Sequence, residues 1–307
     1  MAYGLPRRPA WTMIQAGCLS ALVLAAPWTA HAQRSDIASQ RASGLVAPLR
    51  ADASLDSVFA RMYNLDFPAA HRLLDTRARG DRTDPLAYSV RAVADTFAEM
   101  QRLKILETEF FVDDAKVTSE KAPPPDPIAR ARIMGSVEEA RRLAEARLES
   151  SPNDRDALFA LCMAANVMTD YTALVERKQL RGLRLAREVQ TYAERLIALD
   201  PPVYDAYHAM GVLEYINSRV PFFVRWFVRF KEIEGSERKA VEYLQVVVNR
   251  GQYYGPFAKV LLAVLHLRGN RPADARMLLA DLARECPENP LFPQELARVT
   301  ARMRTRR

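Results

Sequence analysis

Apolar residues recur at intervals of three and four along almost the whole chain and nowhere alternate strictly, so they can be buried only by helices packed against helices. The pattern runs through LDSVFARMYN, PLAYSVRAVADTFAEMQRLKILETEFF, EEARRLAEARLE, DALFALCMAANVMTDY, LRLAREVQTYAERLIAL, YDAYHAMGVLEYI, ERKAVEYLQVVV, FAKVLLAVLHLRG and ADARMLLADLARE. The one strand-like run, Val246 to Val248, falls inside such a period and reads as buried helix. The expected fold class is therefore all-α.

Boundary signals agree with this reading. Ser136 followed by Glu139 has the form of a capping box, which predicts a helix start there. Pro152, Pro201 and Pro287 each follow a helical stretch, and Gly235, Gly251 and Gly269 offer helix-ending conformations. VTSEKAPPPDP, from Val117 to Pro127, reads as an exposed loop between long helices.

The chain opens with Arg7 and Arg8, an apolar run from about Met13 to Ala26, and Ala30-His31-Ala32. That is the order of a secretory signal peptide, with cleavage expected near Ala32 and a flexible segment from there to about residue 50. No later stretch offers ~18 uninterrupted apolar residues, so an exported, periplasmic chain is expected. Loss of Arg7 and Arg8 takes the formal charge from +7 to +5, part of it in a basic tail over 301–307 expected to be solvated. Cys162 and Cys286 remain, without CxxC or zinc spacing; a bridge between them and two buried thiols are both open.

Three helix ends superpose: Ala140, Ala144, Arg147 and Pro152; Ala240, Leu244 and Val247; Ala275, Leu279, Leu282 and Pro287. Two preceding helices carry Ala157, Leu158, Leu161 and Cys162, and Ala206, Tyr207, Met210 and Gly211, at positions where small residues let helices approach closely. These two half-patterns resemble the tetratricopeptide repeat. Successive prolines lie farther apart than that repeat's period of about 34 residues, so helices or loops are lengthened. The resemblance implies antiparallel helix pairs stacked into a right-handed solenoid over roughly residues 50 to 300, with the pair near Phe67 to Pro85 the poorest match.

The same resemblance implies a concave groove for a peptide or partner protein. In register, Asp156, Phe159, Met163, Asn166 and Asp170, and Asp205, His208, Val212 and Tyr215, would face it; Asn166, Asp170, His208 and Tyr215 carry groups that hydrogen-bond a partner. A second candidate is NSRVPFFVRWFVRFKEIEG, residues 217 to 235, an insertion in the turn of one repeat. As a helix it would gather Phe222, Phe223, Trp226, Phe227 and Phe230 on one arc and Arg225 and Arg229 on another. Core packing, a binding site walled by aromatics with Arg225 and Arg229 gripping a carboxylate, and insertion of 222–230 into a membrane surface are the three readings of it.

Other function classes find no support. His71, His208 and His266 form no HExxH arrangement, and no GxSxG, P-loop or dinucleotide fingerprint appears, so no catalytic residues, metal or cofactor are expected. Arginines lie among nearly as many acids instead of forming one patch, which speaks against nucleic acid. The leading expectation is a non-enzymatic exported scaffold that binds proteins in the cell envelope. The alternative is a periplasmic binder of an anionic organic solute, associated with a transporter.

Overall fold

Aspartate and proline decide where the helices begin. The structure, a computed structural model, describes residues 53–112, 123–219 and 235–305, all within one compact unit, Leu49–Arg307. Asp66, Asp84, Asp126 and Asp154 each accept a hydrogen bond from a backbone N–H in the first turn of the helix they precede, and Ser236 does the same for Lys239. Such a cap contributes about 1 kcal/mol by satisfying a donor that the helix leaves open.

The elements are α1 (Ala53–Tyr63), α2 (Phe67–Gly80), α3 (Pro85–Arg102), α4 (Thr108–Val112) and α5 (Pro127–Ser150). There follow α6 (Arg155–Asp170), which continues into a π-helical turn (Tyr171–Val175), then α7 (Gln179–Leu199) and α8 (Ala206–Arg219). The chain is completed by α9 (Glu237–Arg250), α10 (Gly255–Arg268), α11 (Pro272–Glu285) and α12 (Leu291–Thr305). Among the described residues all regular structure is helical, so the protein is all-α.

Several boundaries correct the sequence expectations. Ser136 caps nothing: α5 already starts at Pro127 on the Asp126 cap, and Ser136 lies buried within it. Gly251 and Gly269 do end α9 and α10 as their C-caps, but with negative φ; among the described residues left-handed φ falls on Leu65, Lys104, Arg177, Asn270 and Gly235. Lys104 interrupts the helix expected over 85–111: the N–H of Ile105 bonds back to the Met100 carbonyl, closing α3, and α4 starts afresh at Thr108. The basic tail expected to be solvated is exposed at Arg302 and Arg304, but it is helical as far as Thr305. The segment read as a signal peptide, most of the proline-rich loop and most of the aromatic insertion lie outside the described residues.

Apart from α4, which packs on α10, each helix packs on the next along the chain, α3 passing over α4 to pack on α5 and on α6 as well. The small positions picked out by the repeat pattern are at the contacts: Ala140, Ala144, Ala157, Ala240 and Ala275 are all fully buried, with Leu244, Leu279 and Leu282 beside them. Gly211 shows why smallness is required, since a Cβ there would lie 2.9 Å from Leu244 Cγ. Gly235 is held harder still, with a left-handed φ and the Asn217 carbonyl carbon 2.5 Å from where a Cβ would sit.

The chain also closes on itself. The Tyr63 hydroxyl donates to the Tyr253 carbonyl at 2.9 Å, and Asn289 Nδ2 donates to the Tyr63 carbonyl at 2.7 Å. Phe59 of α1 stacks on Tyr253 at 4.9 Å and meets Tyr254 edge-on at 5.8 Å. Farther along, Thr108 hydrogen-bonds Glu295, joining α4 to α12. The N-terminal helix is thereby packed into the C-terminal half, burying Leu55, Val58, Phe59 and Met62. Helix α6 with its π-helical turn is apolar enough over Arg155–Val175 to cross a membrane by length and composition, a run the sequence reading passed over; 72% of that window is buried inside the structure, as the central helix of the core.

Candidate functional site

Of the nine residues predicted to line a groove, Phe159, Met163, Asp205 and His208 are buried in the interior, whereas Asp156, Asn166, Asp170, Val212 and Tyr215 are half-buried. Phe159 and Met163 are 1% exposed, and Phe159 lies against both Tyr253 and Tyr254. His208, 3% exposed, stacks on Phe257 at 4.9 Å and lies 5.1 Å from Tyr254. Its Nε2 is buried without a hydrogen-bond partner, and burial pushes the imidazole down to about 4, so it is neutral at ordinary pH. Asp205 is built into the same wall, accepting the N–H groups of Gln252, Tyr253 and Tyr254. Burial raises its carboxyl, against the pull of those three donors.

Asn166 and Asp170 come together, Asn166 Nδ2 donating to Asp170 Oδ2 at 3.1 Å, both half-buried. Burial pushes the Asp170 carboxyl up to about 7, with the Asn166 bond opposing it. Asp170 sits immediately before the π-helical turn, a departure from regular helix that often accompanies functional sites. Tyr215 is half-buried on α8, with the Arg219 guanidinium 5.5 Å above its ring. Phe222, Arg225, Trp226 and Arg229 lie outside the described residues. Cys162 and Cys286 are free, buried thiols, each raised by burial, to about 12 and about 11. Neither has the lowered pKa of a reactive cysteine.

A polar cleft that the sequence reading did not single out opens between α2, α3 and α5, with a volume of about 560 Å³. Its α3 wall presents Tyr88, Arg91 and Asp95, and its α5 wall Arg132, Gly135, Ser136 and Glu139; each set is spaced by threes and fours and so shares one helix face. His71 of α2 closes the third side. Asp95 forms the floor at 5% exposure, with Oδ1 3.3 Å from His71 Nε2 and 3.4 Å from Arg132 Nε. A carboxylate this buried has to be answered by polar partners, and the His71 imidazole and the Arg132 guanidinium lie against it from different helices.

The walls differ in how far their groups are already used. Glu139 accepts hydrogen bonds at both oxygens from Arg142, from Nη2 at 2.6 Å and from Nε at 2.8 Å. Arg91 gives one hydrogen bond, 2.7 Å to Asp75. Arg132, 59% exposed, makes its one contact through Nε and has no hydrogen bond among the described residues. The Tyr88 and Ser136 hydroxyls likewise have no hydrogen-bond partner among the described residues. At Gly135 an added Cβ would meet nothing within 4 Å, so this wall faces open space.

The available signal for this cleft was polar residues on faces that a packed helix pair would otherwise bury: His71, Asp95 and Ser136. The interleaving of arginines and acids along these helices hid it. Among the described residues no group of three or more His, Cys, Asp or Glu could hold a metal ion. No protein-family model matches the chain, and no curated protein is significantly similar to it.

Proposed function

We propose that the protein is an exported, non-enzymatic adaptor, a right-handed solenoid of antiparallel helix pairs in the manner of tetratricopeptide repeats, that binds other proteins in the cell envelope. The observation that carries the reading is the burial of the in-register small residues, Ala140, Ala157, Gly211, Ala240 and Ala275, at contacts between successive helices. Repeated helix pairs of this kind present long surfaces instead of a single enclosed chamber. The order of charges and apolar residues in 1–32 supports export. Because Phe159 is packed against Tyr253 and Tyr254, and His208 against Tyr254 and Phe257, partner contact on the inner face falls to its half-buried stretch, Asn166, Asp170 and Tyr215.

Site-specific photocrosslinking in intact cells tests this. A photoreactive side chain at Asn166 or Tyr215 is expected to give discrete adducts with an envelope protein, and the same group at Met277, 57% exposed on α11, none. Absence of adducts from both positions, or an identical adduct pattern from Met277, would contradict it.

A further inference from the structure

The cleft between α2, α3 and α5 has a chemistry of its own, independent of the adaptor reading. Its acids are already answered. Asp95 is buried between His71 and Arg132, and Glu139 is held at both oxygens by Arg142. Its donors are not. The outer nitrogens of Arg132 and the hydroxyls of Tyr88 and Ser136 carry no hydrogen bond among the described residues, and Arg91 gives only one. A ligand that completes this set must accept hydrogen bonds and carry negative charge, as a planar carboxylate does for a guanidinium fork.

We infer that this cleft binds a carboxylate, with Arg132 as the principal anchor, Arg91 and the Tyr88 and Ser136 hydroxyls completing the shell, and Gly135 leaving room for the rest of the ligand. The Asp95 floor fixes the register. Its contact with Nε holds the Arg132 stem across the cleft while leaving the outer nitrogens for the ligand. The cleft volume of about 560 Å³ falls within the range of small-molecule sites. The carboxylate has two sources, a free organic acid or an acidic side chain of a bound protein. Both satisfy the same donors.

Isothermal titration calorimetry on the full chain separates the cases, using sodium succinate, a capped Gly-Glu-Glu-Gly peptide, and sodium chloride of matched ionic strength. Saturable binding of succinate or of the peptide is expected, weakened at least tenfold by Arg132→Gln and unchanged by Arg238→Gln, a comparably exposed arginine on α9. Gly135→Met is expected to abolish binding by filling the cleft without lowering the melting temperature, because the site offers its Cβ open space and glycine is a poor helix former. Binding of succinate assigns the ligand to a free acid, and binding of the peptide alone assigns it to a protein. No saturable heat from either, or equal affinities in the parent, Arg132→Gln and Gly135→Met chains, would overturn the inference.

Discussion

Removing the Asp205 carboxylate should loosen the turn on which the closed interior depends. Its Oδ1 accepts the N–H of Tyr253 at 3.0 Å and of Tyr254 at 2.8 Å, and its Oδ2 that of Gln252 at 2.9 Å. The turn so held presents Tyr253 to Phe59 and Phe159, and Tyr254 to Phe59 and His208. A hydrogen bond to a charged acceptor is worth about 1.5–3 kcal/mol, and a buried donor left open costs about 1–3 kcal/mol. Asp205→Ala forfeits three such bonds but also relieves the burial of a carboxylate, so a net loss of about 3–5 kcal/mol is expected. Asp205→Asn keeps an oxygen for Tyr253 and Tyr254 and sets an amide NH₂ against the Gln252 N–H, so about 1.5–3 kcal/mol is expected. Urea unfolding followed by far-ultraviolet circular dichroism at pH 7 measures both. With a slope of about 3 kcal/mol per molar, the alanine variant's midpoint falls by about 1–1.7 M. A loss below about 1 kcal/mol for the alanine, or equal losses for the two variants, would refute the reasoning.

Two further perturbations test the interior. Asp170, raised from its ordinary 3.8 to about 7, binds its proton more tightly when folded, so its contribution is full below about pH 4 and lost as pH rises to about 7. His208, lowered from 6.5 to about 4, stays neutral when folded, so its contribution is lost as pH falls from 6.5 to about 4. Each tenfold change in proton affinity is worth about 1.4 kcal/mol, so these opposed effects reach about 4 and about 3 kcal/mol and offset one another near pH 4.5–6.5. Relative to the parent, Asp170→Asn is expected to lose stability on acidification through that window and His208→Gln to gain it; chemical denaturation at pH 4.5, 5.5, 6.5 and 8 decides, and parallel profiles would contradict both. Gly211→Ala places a Cβ 2.9 Å from Leu244 Cγ, so overpacking of about 1–3 kcal/mol outweighs a helix-propensity gain of about 1 kcal/mol. In a double-mutant cycle with Leu244→Ala the cost should shrink, whereas strict additivity would show that the two residues do not compete for the same space.

The helices were legible because each buries a stripe whose period is local: Leu55, Val58, Phe59 and Met62 announce α1 without reference to anything else. The small residues at helix contacts were legible for the same reason, since Gly211 and Ala240 recur at fixed offsets within their own segments. What was not legible depended on residues far apart in sequence. The Tyr63–Tyr253 and Asn289–Tyr63 bonds join segments separated by 190 and 226 positions, and no periodicity reports them. His208 and Phe159 therefore read as groove positions, although the chain's own aromatic side chains pack on them. Ser136 misled in the opposite direction. Its spacing to Glu139 fits a cap, but Asp126 and Pro127 start the helix earlier, and the hydroxyl is left facing a cleft instead of a helix end.

Closure of the chain is the feature from which the burial of Phe159 beneath Tyr253 follows, and amide hydrogen exchange tests it most directly. In an open array of repeats, terminal helices exchange by local fraying at a fraction of the global free energy. With α1 tied through Phe59, Tyr63 and Asn64 to Tyr253, Glu288 and Asn289, its central amides should open only with the whole unit. Exchange on the native full chain at pH 7 is therefore expected to give Val58 to Met62 the same opening free energy as Leu161 to Ala165 of the central helix. Rapid exchange of α1 while α6 stays protected would contradict closure.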